Sequence, residues 1–586
     1  MSESKSQRPP SRVDRRSFIR AAGGTTIAAV GGSSLVVGAA QGATPRKWDH
    51  EVDVVVVGSG GAALAGAVTA VSRGLKVAVL EAAPVAGGAT ARSGGGYWIP
   101  NNRFMRAKGI QDPREDCIRY MARYSFTQLY DVNAENYGIP ALSVKQMAAM
   151  YDNAAPAVEL FEKLGALQTR EDDSYDYWEA APENKAPQGR LIWTKVDVAP
   201  GTITGGGADT IRQMGDWLAK KGSPIQLEHR VTKLVTNSKG AVVGVIATDS
   251  DDKQISFRAR RGVHFGSGGF TLNEELRLNF QRGPVFGSCG PMTNQGDLVY
   301  MASAIGAKLG NMQNGWRFQL VLDQVLQTPG LATDVWGVIG DSMVMVNKYG
   351  QRVVNEKRPY SDRGEVHFNY DPNKNEWTNL VLMQILDQRA YDHAQGHYPL
   401  PPKGATAPYI ITAPTLDALA DAIRKRLTEH GPRIGGFQLD ESFLPNLKAT
   451  IKRFNGFAET GNDEDFARGS FGYDRQWHER FGGPESIAAN DKPNKTMYPI
   501  SDKGPYHAIL LVSGSADTNG GPMINENAQV LSIANEPIPG LYGAGNCIAS
   551  PSGRAYWGGG ATIGLSLTFG YIAGNHLATA PINDDA

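Results

Sequence analysis

The chain has 586 residues, 41% of them hydrophobic, with 59 Lys plus Arg balanced by 59 Asp plus Glu. Such a length buries more core than one small domain needs and predicts two domains, while a net charge of zero removes the field expected of nucleic-acid or acidic-membrane binders. Cys117, Cys289 and Cys547 are too few and too far apart for a disulfide framework or a metal cluster, and the sequence lacks the run of about 18 charge-free apolar residues that a transmembrane helix requires.

Residues 14–20 read DRRSFIR and lead into a weakly apolar, Gly/Ala-rich stretch that ends near residue 43. Arg15-Arg16, then Phe18, then a short apolar segment resembles a twin-arginine export signal, with cleavage expected between residues 39 and 43. Residues 1–43 are therefore set apart from the fold. The expectation is a periplasmic protein that folds before it crosses the membrane.

The first folded stretch runs EVDVVVVGSGGAALAGAVTAVSRGLKVAVLE from Glu51. Val54, Val55, Val56 and Val57 form an unbroken β-branched run, as in a strand buried on both faces of a parallel sheet. Gly58-Ser59-Gly60-Gly61-Ala62-Ala63 follows as a G-x-G-x-x-A variant of the dinucleotide fingerprint. A helical pattern then reaches Ser72, Gly74 closes it, and a second strand over residues 76–80 ends at Glu81. This is one βαβ unit. Its glycines bring bare backbone to a pyrophosphate at the helix N-terminus, where unpaired N–H groups and the dipole favour an anion. Glu81 is placed to hydrogen-bond a ribose hydroxyl, and an acid there disfavours a 2′-phosphate, which leaves FAD or NAD.

A second small-residue loop follows Glu81 and contains Gly87, Gly88, Ala89, Thr90, Ser93, Gly94 and Gly95. Residues 263–270, with Gly269, and residues 540–546, with Gly545 and Asn546, again read as a strand entering a glycine turn. The nucleotide fold is thus left and re-entered. The loop after Glu81 resembles that of the flavoprotein group containing fumarate reductase and succinate dehydrogenase. That resemblance implies FAD, with small residues lying against the isoalloxazine ring and the pyrophosphate. It implies non-covalent binding too, because no histidine stands between Thr90 and Gly95. The helix that begins at Ala561-Thr562-Ile563 would, by the same resemblance, aim its N-terminus at the flavin N1–C2=O edge and stabilise the reduced flavin.

Within that group the chain resembles the 3-ketosteroid Δ1-dehydrogenases. Residues 93–102 read SGGGYWIPNN, similar to the family's SGG(x)WxPNN-type segment. Tyr556 stands four residues before Gly560, Tyr360 closes the run NEKRPY, and Tyr177 lies in Asp176-Tyr177-Trp178, all in the family's chain order. Residues 452–455 (KRFN) and 463–469 (DEDFARG) also look like its second domain. Placing a double bond beside a ketone removes a hydride from one ring carbon and a proton from its neighbour. The resemblance implies that the Tyr556 hydroxyl and the Gly560 N–H polarise the ketone oxygen, as in an oxyanion hole. It implies Tyr360 as the acceptor of the α proton and flavin N5 as the hydride acceptor. A phenol, with a pKa near ~10, is a poor base alone, and Tyr177 would assist it. The glycines before the last helix are then bare because a ketone lies against their amides. The chain departs from the family at Trp557, where the family usually has a proline, and at Gly559, where it sometimes has a second. Trp557 is expected to cap the pocket differently.

The expected architecture is α/β: a split Rossmann-like FAD-binding domain, about residues 47–312 and 501–586, with an inserted α+β substrate domain, about residues 313–500, that supplies Tyr360. The expected partner is a cyclic ketone, a 3-oxosteroid first and a smaller ketone as the alternative. An external electron acceptor, a quinone or a redox carrier, is also expected. The nearest rival is a fumarate-reductase-like enoate reductase, which places an arginine where Tyr360 stands; Arg358 and Arg363 are close by. Residues 397–402 (HYPLPP) read as a solvated surface loop, with a lid or membrane-touching loop as the alternative that keeps peripheral membrane association open. Leu416, Leu419, Ile423 and Leu427 predict a surface helix with one buried face. His393 and His397 lack a third ligand, and no metal site is expected.

Overall fold

A computed structural model of the chain describes residues 41–42, 45, 47–196, 206–331, 333–482 and 487–583, which belong to one compact unit. The export signal expected at residues 1–43 lies outside these apart from 41–42.

A nine-stranded sheet forms around the valine run. His50–Val57 pairs in parallel with Val77–Leu80 on one side and with Gln254–Phe265 on the other. Val54, Val55 and Val56 are fully buried, as the β-branched run predicts. The helix Gly61–Ser72 connects the first two strands, as expected of the βαβ unit. Pro537–Gly543 returns to pair in parallel with the end of Gln254–Phe265, so the late glycine turn does re-enter the nucleotide fold. The C-terminal helix Ala561–Thr579 packs on Gly61–Ser72 through small residues. A Cβ added at Gly570 would sit 2.4 Å from the Ala62 carbonyl oxygen, and one at Gly574 would sit 2.7 Å from that of Gly66. Close backbone packing of these two helices fixes them against each other.

A five-stranded antiparallel sheet is built from Gly315–Val321, Met343–Val346, Val381–Asp387, Ile410–Ala413 and Tyr506–Thr518. Tyr506–Thr518 pairs with three of these strands. The change of sheet therefore does not fall at residue 501. Among the described residues, the large sheet is rejoined by Gln529–Leu531 and Pro537–Gly543. Leu416–His430 is helical, capped by the Thr415 side chain, and buries Leu419, Ile423 and Leu427 as its spacing predicts. Residues 397–402 depart from the surface-loop expectation. Pro399, Leu400 and Pro401 are buried, Leu400 joins an apolar cluster, and the Tyr409 hydroxyl donates to the Pro399 carbonyl at 2.8 Å. The prolines stiffen a packed segment, not a solvated loop or a lid.

Candidate active site

The parallel strands end in an open groove. Gly58, Gly60, Gly61 and Ala62 line it with Glu81, Gly88, Ala89, Thr90, Gly545 and Asn546. Gly58 has φ +101°, and a Cβ there would stand 2.6 Å from the Gly266 carbonyl oxygen, so only glycine lets the two strand ends approach. At the end of the second strand, the Glu81 carboxylate accepts from the Ser59 hydroxyl at 2.6 Å and from the Ala83 N–H at 2.8 Å. The Ser59 oxygen in turn accepts from the Gly87 N–H at 2.7 Å. Glu81 thus ties the fingerprint loop to the loop that follows it. On the helix N-terminus, the Gly61 N–H donates to Thr90 Oγ1 at 3.0 Å.

Asp517, fully buried, gathers part of this groove. Its Oδ2 accepts from the Gly269 N–H at 2.7 Å, from Asn294 Nδ2 at 2.6 Å and from Asn546 Nδ2 at 3.3 Å. Both asparagines line the groove. Burial pushes Asp517 up to about 6, opposed by hydrogen bonds from the Gly269 and Thr518 amides. Asn546 Oδ1 also accepts from Trp316 Nε1 at 2.8 Å, and the Trp316 ring meets Tyr556 edge-on at 5.2 Å. Trp316 therefore joins the groove to the tyrosines, by a hydrogen bond on one side and a ring contact on the other.

Tyr177, Tyr360 and Tyr556 converge from three distant parts of the chain. Ring centroids are 5.9 Å apart for Tyr177 and Tyr360, 5.4 Å for Tyr360 and Tyr556, and 5.3 Å for Tyr177 and Tyr556. Tyr177 and Tyr556 are buried, whereas Tyr360, at the start of the short helix Tyr360–Gly364, is half-buried. Burial first, then the neighbouring phenols, pushes Tyr360 and Tyr177 well above the usual tyrosine range. Tyr556 is raised by burial but relieved by hydrogen bonding to Thr562 and Tyr360. All three phenols thus rest protonated at neutral pH.

The loop between Tyr556 and the last helix is built for bare backbone. Gly560 caps Ala561–Thr579 at φ +79°, and its carbonyl accepts from the Trp98 N–H at 3.1 Å. Its own N–H meets no carbonyl or side chain among the described residues. Thr562, in the first turn, lies 3.3 Å from the Tyr556 hydroxyl. Trp557 does not cap the pocket. It is fully buried, its ring 5.5 Å from Trp98, with Nε1 donating to Ser125 Oγ at 2.9 Å and its carbonyl accepting from the Tyr120 hydroxyl. An indole so engaged faces away from the tyrosines and anchors the loop. Asp176 fixes the other side: Oδ1 accepts from Trp98 Nε1 at 2.8 Å and Oδ2 from Arg190, which also pairs with Asp112 at 2.7 Å. Burial pushes Asp176 up to about 6, with Arg190 pulling it back.

Against known proteins, residues 53–563 match the family model described as FAD binding domain. The chain is 31% identical to the 3-oxosteroid 1-dehydrogenase of Mycobacterium tuberculosis, over 90% of this chain and 98% of that protein. The chain belongs to the 3-oxosteroid 1-dehydrogenase family. It is also 28% identical to the 4-oxocyclohexanecarboxylate 2-dehydrogenase of Sinomonas cyclohexanicum, over 91% of this chain and 94% of that one. The crystal structure of 3-ketosteroid delta1-dehydrogenase from Sterolibacterium denitrificans in complex with 1,4-androstadiene-3,17-dione superposes with a TM-score of 0.75. It is 25% identical and covers 90% of this chain and 100% of that one.

As a member of the 3-oxosteroid 1-dehydrogenase family the protein is an FAD-dependent dehydrogenase, and its groove fits that cofactor. A Cβ at Gly60 would fill the gap between Thr90 Oγ1 at 3.6 Å and the Gly266 carbonyl at 3.9 Å, the cradle a pyrophosphate needs. The remaining expected residues divide into supports and bystanders. Ala63 packs behind the loop, where a Cβ at Gly266 would meet its N at 2.4 Å. Gly87 caps the short helix Gly88–Ala91. Ser93 donates to the Thr90 carbonyl at 2.7 Å and accepts from the Gly95 N–H. Gly94 abuts the Trp193 ring, and Gly95 packs on Gly206. Gly269 contacts Asp517 and does not line the groove; Gly266, Ser267 and Gly268 do. Ala561 and Ile563 are buried in the first turn of the last helix. Sequence reasoning missed Asn294, Asp517 and Trp316, which sit in no fingerprint, and His229, Arg230 and Val231 of the groove wall. The rival's arginines are engaged elsewhere. Arg358 pairs with Asp474 and the Tyr177 carbonyl, and Arg363 donates to Gln319 and to backbone carbonyls.

Proposed function

We propose that the protein introduces the C1–C2 double bond into a 3-oxosteroid. The observation that carries this reading is the convergence of Tyr177, Tyr360 and Tyr556 beside the unengaged Gly560 amide at the start of a helix. The neutral Tyr556 hydroxyl and the Gly560 N–H donate to the C3 ketone oxygen and stabilise the charge that grows there as C2 loses its proton. The N-terminal end of Ala561–Thr579 adds its dipole to the same charge. Tyr360 takes the C2 proton as its phenolate. That form is scarce at neutral pH because burial raises its proton affinity, and the same affinity makes it a strong base once formed. Tyr177 holds the Tyr360 oxygen in place. FAD, when bound, supplies the two-electron acceptor for the hydrogen lost from C1.

A smaller cyclic ketone is the second reading, favoured by the resemblance to the Sinomonas enzyme. It uses the same residues. Export by the twin-arginine route, supported by Arg15-Arg16 and Phe18, and electron delivery to a quinone or redox carrier complete the proposal. The test is product analysis after incubation with a 3-oxo-4-ene steroid or cyclohexanone and a dye acceptor. Loss of two hydrogens from the steroid alone supports the first reading; loss from cyclohexanone alone replaces it with the second.

A further inference from the structure

Neutral donors hold the buried carboxylate of Asp517. Besides the contacts of Oδ2 with Gly269, Asn294 and Asn546, Oδ1 accepts from the Thr518 N–H at 2.9 Å and from Thr271 Oγ1 at 3.3 Å. These donors converge on a side chain fully shielded from solvent. An ionised carboxylate is acceptor-only, so such a set of partners can carry it in an apolar interior. No cation stands within ion-pair distance of Asp517 among the described residues. The charged groups of the elements packed around it are engaged elsewhere. Arg230 pairs with Asp297 at 2.7 Å, and Arg277 donates to the Thr271 carbonyl at 3.4 Å. Arg317 donates to Gln281 Oε1 and to the Gln313 carbonyl, both at 2.8 Å. The Cys547 thiol, pushed up to about 11 by burial, stays neutral. The charge of Asp517 is therefore hydrogen-bonded but not cancelled.

That charge stands behind the flavin end of the groove. Gly545 and Asn546 line both the groove and a small cleft beyond it, whose walls include Trp316 and Thr562. Thr562, in the first turn of the last helix, lies 3.3 Å from the Tyr556 hydroxyl. A flavin that accepts hydrogen from a ketone held at Tyr556 and Gly560 must reach this cleft, and so passes Asn546. Asp517 is one side chain removed, behind Asn546 and Asn294. The hydride that leaves C1 carries two electrons and one proton, so the flavin gains one negative charge on accepting it. Like charges repel strongly where water does not screen them.

We infer that Asp517 is a positioning residue that sets the reduction potential of the bound flavin: it fixes Asn546 and Asn294 in the groove, and its charge opposes the charge that reduction adds. The inference rests on the ketone dehydrogenase reading, which puts the flavin beside Asn546. Burial already lifts Asp517 to about 6, and a reduced flavin raises its proton affinity further. A proton from solvent then binds Asp517 as the flavin is reduced, and leaves when the external acceptor takes the electrons. Well above pH 6 the ionised carboxylate keeps the potential low; below it the group is neutral and the restraint is gone.

The test is the midpoint potential of the flavin in the substrate-free holoenzyme, measured by equilibration against a reference dye on both sides of pH 6. Asp517→Asn keeps the shape and removes the charge. Its potential should lie above that of the parent in alkaline buffer, and the gap should close as pH falls below about 6. Equal potentials at every pH overturn the inference. So does a gap that pH leaves unchanged, because a merely structural effect of the substitution would not follow a titration. Thr271→Val covers the case in which Asp517→Asn retains no flavin. It removes one donor from Oδ1 with little change of shape and raises the proton affinity of Asp517. The pH dependence of the potential should then move to higher pH; an unmoved dependence overturns the inference. None of these measurements uses turnover, so failure of every ketone to react would overturn the functional reading separately.

Discussion

Replacing Gly560 with Ala tests whether a backbone amide does chemistry. Gly560 sits at φ +79°, and a Cβ there would stand 2.4 Å from the Gly96 carbonyl carbon and oxygen and 2.6 Å from the Tyr97 nitrogen. These are backbone atoms of a strand pinned to Leu191–Thr194, so they cannot turn aside as a side chain would. A left-handed φ costs an alanine about 1–2 kcal/mol and overpacking about 1–3 kcal/mol more. The loop escapes by moving the helix N-terminus away from Gly96 and Tyr97, which carries the Gly560 N–H with it. Losing one oxyanion donor lowers kcat by about 10²–10³. Gly559→Ala is the control from the same loop. Its Cβ would meet only the Leu191 side chain, at 3.2 Å, and its φ is not left-handed. The assay is kcat/KM with a 3-oxosteroid, with flavin absorbance and thermal unfolding measured alongside. Gly560→Ala should lose activity by the stated factor with FAD largely retained, and Gly559→Ala should stay within a few-fold of the parent. Full activity in Gly560→Ala, or equal losses in the two variants, would refute the amide's role.

Tyr360→Phe should abolish turnover and leave flavin content intact; equal loss of both would mean that Tyr360 supports the cofactor site. Burial and its phenol neighbours hold the Tyr360 proton on, so kcat/KM in the parent enzyme should climb steadily as pH rises above neutrality. A flat profile would exclude a phenolate base. Glu81→Ala strands the Ser59 hydroxyl and the Ala83 N–H and removes the ribose partner, which should weaken FAD retention on gel filtration by about tenfold or more. Undiminished occupancy would remove the ribose assignment. Trp557→Phe loses the hydrogen bond to Ser125 and leaves a gap beside Trp98, so it should cost at least about 1 kcal/mol of stability and lower kcat with flavin content unchanged. Unaltered kcat would show that the loop holds its shape without the anchor.

The nucleotide half of the site was legible because its constraints are local. Val54–Val57, the glycines after it and Glu81 lie within one short βαβ unit, where a buried strand and a bare turn each call for one residue type, and Glu81 ends the second strand on Ser59 and the Ala83 N–H. The tyrosines were legible only through their flanking motifs; nothing in the spacing of residues 177, 360 and 556 says that they meet. Nothing in the sequence says that Tyr506–Thr518, which follows residue 501, belongs to the five-stranded sheet, because a buried apolar strand reads the same in either sheet and partner strands decide which one it joins. Trp557 misled for a similar reason. An indole beside Tyr556 can face the tyrosines or the core, and only Ser125 and Trp98, more than four hundred positions away, settle the direction. Asp517 carried no signal at all, since a buried carboxylate that serves two asparagines and a glycine amide has no sequence pattern.

The most direct measurement is the anaerobic absorbance of the bound flavin on mixing with a 3-oxo-4-ene steroid, cyclohexanone or fumarate. The steroid should bleach the oxidised flavin, and the Gly560→Ala and Tyr360→Phe variants should not bleach on the same time scale. Reoxidation of pre-reduced flavin by fumarate, with no response to either ketone, would contradict it and place the chemistry on the alkene-reducing side.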